Sequence, residues 1–233
     1  MGNVASQQTE LGSCSVQSKT SSTASPSFHK SLSSSDIHSL FTVEEKRLIR
    51  KTWSQLQQQT TVSHGGWKAD SNINRGVRVF LRIFELAPEA QSVFSDFQHI
   101  SRPSDLIANP MFRSHAKRFM TAVDMTVHSL DALDVIVAPT LVRLGRRHVD
   151  FVGFHLRYMD VFERAMDEAW RADLGRRRYT GATRRAWRKL FRFLTTSVTH
   201  GYDEALNEVK AAAESMNVDG RSLTTSLPCK RIG

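Results

Sequence analysis

The sequence predicts an all-α fold. Two stretches repeat apolar side chains at steps of three and four residues, few glycines interrupt them, and no alternating run is long enough to argue for a sheet. The chain has 233 residues, enough for one domain or two. Apolar periodicity is confined to its middle, so one globular domain over 43–209 is expected between tails over 1–42 and 210–233.

The first stripe runs Phe112, His115, Phe119, Val123, Val127, Leu130, a spacing that places all six on one helical face. The second runs Val137, Leu141, Leu144, His148, with Pro139 tolerated in the first turn, where its missing N–H has no partner to lose. His115 and His148 therefore both point inward. A buried imidazole needs a partner. One ring nitrogen can bind a metal while the other donates to a backbone or side-chain acceptor, so two inward histidines, with Phe94 in a short aromatic segment before them, suit a haem pocket. Taken singly, either histidine is better explained as a hydrogen-bonded residue of the core or its rim than as a ligand.

The order of Trp53, Phe80, Pro88, Phe94, His115, His148 and Trp187 shifts the balance toward ligands. Leu48-Ile49-Arg50-Lys51-Thr52-Trp53 resembles the first helix of animal globins, especially the neuroglobin and globin X branches. Val79-Phe80-Leu81-Arg82-Ile83-Phe84-Glu85-Leu86-Ala87-Pro88 is similar to their second helix and the proline that starts the third. Val93-Phe94 resembles the phenylalanine that wedges against haem, Met111-Phe112-Arg113-Ser114-His115 the distal-histidine segment, and Leu144-Gly145-Arg146-Arg147-His148 the proximal one. Thr180-Gly181-Ala182-Thr183-Arg184-Arg185-Ala186-Trp187 is similar to the start of the last helix. The likeness spans about residues 43 to 206 and implies the globin fold, a three-over-three helical sandwich, around haem b, iron protoporphyrin IX.

The resemblance implies His148 as the proximal iron ligand and His115 as the distal one, with a bis-histidyl, six-coordinate resting state. It places Phe94, Phe80 and Phe119 against the haem. Phe80 stands where some globins carry a tyrosine, and Phe119 where a valine is typical; both crowd the distal side and offer no hydrogen bond to a bound gas. Arg118 and His155 fall at positions that reach the haem propionates in the family, with an apparent one-residue insertion between His148 and His155. Thr60 to Asn72, which contains Gly65-Gly66, reads as an enlarged loop between the first two helices.

Gln7 to Ser39 is dominated by serine, threonine and glutamine and cannot bury enough apolar surface to offset its ordering entropy. At the chain start, Met1-Gly2-Asn3-Val4-Ala5-Ser6 fits the pattern for myristoylation of Gly2, and Cys14 is placed for palmitoylation as a second anchor. Cys14 and Cys229 both lie in the tails, so no disulfide framework is expected. Cys229 is too far from the end for a prenylation box. No secretory leader or membrane-spanning run is legible, and the expected location is the cytosolic face of a membrane, the plasma membrane foremost.

The net charge is +9, and its cations cluster between Arg171 and Arg192. Such a cluster can meet anionic lipid at roughly 1 kcal/mol per cation. Nucleic acid is excluded as a partner because zinc-finger spacing, an aromatic RNA-binding signature and a heptad-linked basic region are all missing from the sequence. The expected function is a membrane-held haem globin in redox signalling, electron transfer or gas sensing, with oxygen, nitric oxide or carbon monoxide as iron ligands and a redox partner the sequence does not name. The alternatives are a haem enzyme that reduces nitrite or dioxygenates nitric oxide, reversible oxygen transport, and a scaffold without haem. An enzymatic assignment stays open, since such chemistry belongs mainly to the cofactor.

Overall fold

The computed structural model describes residues 40–58 and 71–222, and these contain helices and turns but no strand. Helix α1 spans Val43–Gln58 and α2 Ser71–Leu86; a 3-10 turn at Pro88–Val93 leads through α3 (Pro103–Ala108) into α4 (Pro110–His128). A π-helical turn at Leu133–Val137 opens α5 (Ala138–Arg147), and a 3-10 turn at His148–Asp150 closes it. Helices α6 (Tyr158–Arg178) and α7 (Gly181–Ser222) complete the chain. Contacts run from α2 to α4 and α6, from α5 to α7, and from α1 to α4, α6 and α7. This is the three-over-three sandwich expected for a globin fold, with α1, α4 and α5 laid across α2, α6 and α7.

Local chemistry sets the helix starts. The Thr42 hydroxyl accepts from the Glu45 N–H at 3.1 Å while the Glu45 carboxylate accepts from the Thr42 N–H at 2.9 Å, a reciprocal capping box for α1. Asn109 caps α4, its side-chain oxygen accepting from the N–H groups of Met111 and Phe112, and Pro110 takes the first helical position. Each device satisfies backbone donors that a helix start leaves without partners.

Three tryptophans join the layers. Trp53, Trp170 and Trp187, one each from α1, α6 and α7, pack with ring centroids 6.3, 6.0 and 5.4 Å apart and are almost wholly buried. The Trp187 indole donates to the Thr52 hydroxyl at 2.9 Å and that of Trp53 to Asp124 at 2.8 Å. Beside them Arg75 is buried, its guanidinium bound to Asp173, to Asn72 and to the Leu56 carbonyl, so that α1, α2 and α6 share one charged junction. The α6–α7 corner is locked by Asp167, which accepts from the Tyr179 hydroxyl at 2.8 Å and from the Arg184 guanidinium.

The last helix runs to Ser222, past the expected domain end at 209. From Asn207 to Ser215 every residue is exposed. Missing apolar periodicity correctly reads as absence of burial there, but Lys210-Ala211-Ala212-Ala213-Glu214 are strong helix formers and carry the helix without a core. Ser71 and Asn72, read as the end of a loop, start α2. The rest of that loop, the serine-rich segment with Gly2 and Cys14, and Cys229 lie outside the described residues.

Two close backbone crossings position the inward histidines. A Cβ on Gly76 would stand 2.7 Å from the Ala116 carbonyl oxygen, so only glycine lets α2 cross α4 beside His115. A Cβ on Gly145 would overlap the Val198 carbonyl, and one on Gly201 the Val142 carbonyl, so α5 and α7 touch backbone to backbone just before His148. Overpacking of this kind costs about 1–3 kcal/mol where side chains can yield, and carbonyl groups yield less. Gly145→Ala and Gly201→Ala are therefore expected to lower the thermal unfolding midpoint, each by an amount equivalent to at least about 2 kcal/mol. Gly181→Ala, whose new methyl would meet only the tip of Arg185 at 3.5 Å, should leave it nearly unchanged.

Candidate haem site

A cavity of about 370 Å³ lies between α4 and α5. Its wall includes His115, Phe80, Phe94 and Phe119 on one side and His148 on the other, all four of the expected aromatic and histidine positions on the first side being present. Arg118 also reaches the wall, one turn beyond His115, with its guanidinium donating to the Ser114 hydroxyl at 3.1 Å. His155 does not belong to the wall: it is exposed and packs at 5.7 Å on the ring of Tyr158, which does.

His148 sits where α5 tightens into the 3-10 turn, half-buried between the rings of Phe151 and Phe154 at 5.2 and 4.7 Å. Its Nδ1 is 2.7 Å from the Leu144 carbonyl oxygen. A carbonyl only accepts, so Nδ1 must carry the proton, and Nε2 keeps its lone pair. Burial holds the imidazole below its usual range, partly opposed by that hydrogen bond, and so favours the neutral form that binds metals.

His115 has a different environment. Its ring lies 4.7 Å from that of Phe80 and 4.8 Å from that of Phe94, each edge-on, and no hydrogen bond to it is formed among the described residues. Burial, then the Arg118 charge, then His148, push its pKa down to about 4. Each imidazole thus presents a neutral ring to a common apolar space. That donor set fits an iron porphyrin: His148 supplies an oriented lone pair, His115 a second nitrogen opposite, the phenylalanines apolar contact for the macrocycle, and Arg118 a cation for a carboxylate at the rim.

Several wall residues escape a reading of the two stripes. Phe84 lies one turn after Phe80 on α2, and Phe154, Tyr158 and Phe162 approach from α6 and the turn before it. The Phe162 ring meets Phe119 at 5.1 Å. Phe84 was findable as the next apolar position on the face of Phe80. The α6 residues were not, because Gly153, at φ 81°, redirects the chain between His148 and Tyr158 and hides the register.

In the unfolded chain a histidine titrates near 6.5, whereas folded His115 does so near 4, with His148 also lowered. Below pH 6.5 the unfolded chain therefore binds more protons, and stability that is complete above that pH is lost as pH falls toward 4. For the haem-free chain the urea midpoint should drop over this window. His115→Phe, which keeps a ring against Phe80 and Phe94 but cannot titrate, should flatten the slope; an unchanged slope would show that His115 charges without cost.

The globin family model matches residues 77–198, which span both histidines. Neuroglobin-2 of Oncorhynchus mykiss is 27% identical over 161 residues, covering 69% of this chain and 92% of that protein. Neuroglobin of Dissostichus mawsoni is 26% identical over 159 residues, 68% of this chain and 91% of its own length. Among solved structures, a hexacoordinated heme protein from an anhydrobiotic tardigrade superposes with a TM-score of 0.59 over 70% of this chain and 96% of that one, at 22% identity, a likeness of fold. With the family model matching over half its length and the expected helices in place, the chain belongs to the globin family and is neuroglobin-like within it.

Proposed function

We propose that the protein binds haem between His148 and His115 in a six-coordinate resting state and works in redox signalling, electron transfer or gas sensing at the cytosolic face of a membrane. The observation that carries this reading is the Nδ1 to Leu144 hydrogen bond, which leaves the His148 Nε2 lone pair for iron while His115 occupies the opposite wall. When bound, haem supplies the iron for one-electron transfer and for binding oxygen, nitric oxide or carbon monoxide.

The chain's own residues set how that iron is used. His148 anchors it, and the Leu144 carbonyl fixes the ring's tautomer and orientation. His115 competes with any external ligand, so apparent gas affinity falls by the fraction of molecules in which it has moved aside. Phe80 and Phe94 hold it in place by packing alone, with no hydrogen bond to break. Phe119 closes the same side and gives no donor to a polar ligand. These features favour electron transfer or sensing over oxygen storage. Both cysteines lie in the tails and neither belongs to a thioether attachment motif, which supports non-covalently held haem b. The Met1-Gly2 to Ser6 motif and Cys14 support acylation and the membrane location.

Absorption spectra of the haem-loaded protein test the ligand assignment. Low-spin bands are expected in both ferric and dithionite-reduced forms. His115→Ala should keep haem but become five-coordinate when reduced, and His148→Ala should lose most of it. A high-spin ferrous wild type, or a coordination state unchanged in His115→Ala, would remove His115 from the iron.

A further inference from the structure

Residues 171–192 hold nine cations and a single carboxylate, Asp173, a local net charge of +8 in a chain whose total is +9. On α7, Arg184, Arg185, Arg188, Lys189 and Arg192 all fall within about 140° of helix circumference at 100° per residue. The opposite face, with Thr183, Ala186, Trp187, Leu190, Phe191 and Leu194, is buried. Between residues 184 and 192 cations alone therefore fill the outer arc of this helix, and Arg176, Arg177 and Arg178, all exposed, precede it at the α6–α7 corner.

Nearby carboxylates are already engaged. Asp167 is held by Arg184, Glu163 by Thr195 and Arg192, Glu168 by Arg82 and Arg164, and Asp173 by Arg75 and Arg78. Among the described residues no carboxylate lies within ion-pair distance of Arg177, Arg178, Arg185 or Arg188. Like charges this crowded repel one another, a cost that the pairs of Arg184, Lys189 and Arg192 with Asp167, Glu45 and Glu163 offset only in part.

The first described residues lie beside this face. Lys189, one turn from both Arg185 and Arg192, binds the Glu45 carboxylate at 3.0 Å and stands 5.3 Å above the ring of Phe41. Thr42 and Glu45 form the cap of α1, so the start of that helix lies next to the cationic arc. We infer that the arginine face of the α6–α7 corner is a docking surface for an anionic lipid bilayer, and that it orients the haem domain with this face to the membrane to which the tail is anchored. The inference rests on the proposed acylation, since one acyl chain gives only marginal attachment and a basic surface is one way to complete it.

The surface suits lipid better than protein. No large apolar side chain is exposed between residues 171 and 192, although others are exposed elsewhere on the described surface. A protein interface centres on aromatic or arginine anchors seated in a packed, desolvated pocket, whereas a fluid anionic leaflet rearranges around exposed positive charge alone.

The experiment is flotation of the haem-loaded full chain with vesicles of phosphatidylcholine, with or without phosphatidylserine, at about 0.1 M salt, where the Debye length is about 10 Å. Unacylated protein should bind only the phosphatidylserine vesicles and release at high salt. Arg177→Gln, Arg178→Gln, Arg185→Gln and Arg188→Gln together should weaken that binding at least tenfold, with the haem absorption unchanged. Arg102→Gln, Lys117→Gln, Arg143→Gln and Lys210→Gln, which remove the same charge elsewhere, should weaken it far less. Equal loss in the two combinations, or wild type that ignores phosphatidylserine, overturns the inference. Myristoylated protein and its Gly2→Ala variant on pure phosphatidylcholine test the acyl anchor separately, so failure of the anchor and failure of the face give different results.

Discussion

Two contacts of bare backbone on backbone determine what the cavity can be. Gly76 lets α2 press on α4 at Ala116, and Gly145 with Gly201 lets α5 press on α7 at Val198 and Val142. His115 is the neighbour of the first contact and His148 lies three residues beyond the second. Apart from the Met120 side chain, whose Cγ stands 2.9 Å from a Cβ on Gly76, these contacts are made by main chains, which deform little, so the distance of each histidine helix from the helix it crosses is set by van der Waals contact. The tryptophan cluster of α1, α6 and α7 and the Arg75 junction hold the rest of the sandwich around these two crossings.

Within that frame the two histidines differ in the way they are held, and the difference gives each its role. His148 is oriented by a hydrogen bond to its own helix, so its ring is aimed before any metal arrives. His115 is held by edge-to-face packing against Phe80 and Phe94, contacts individually weaker than a hydrogen bond to a charged group. An imidazole held by packing can leave iron without abandoning a hydrogen bond, but it has no polar site prepared to receive it. In the proposed six-coordinate state such a gate favours closure and opens at a rate set by aromatic repacking.

Much of this was legible in the chain. Steps of three and four residues placed His115 and His148 on inward faces, and the resemblance identified Phe80, Phe94, Phe119 and Arg118, all of which reach the cavity wall. His155, expected near a propionate, is exposed and packs on Tyr158, which does line the cavity. The contributions of Phe154 and Phe162 depend on where α6 begins, a tertiary outcome of the turn through Gly153 rather than a local preference. The extension of α7 to Ser222 came from helix propensity without burial, a signal that apolar periodicity does not carry. The glycine crossings were invisible for a simpler reason: each depends on a carbonyl from a distant segment, which a single sequence cannot pair with its glycine.

The central claim is that His115 occupies the iron and must move before an external ligand binds. Its most direct test is the rate of carbon monoxide binding to the ferrous protein, measured by stopped flow as a function of gas concentration. The observed rate should level off at a ceiling equal to the rate of His115 departure, and His115→Ala should abolish the ceiling. A wild-type rate that rises linearly through the whole concentration range would contradict the claim, leaving the distal position open at rest.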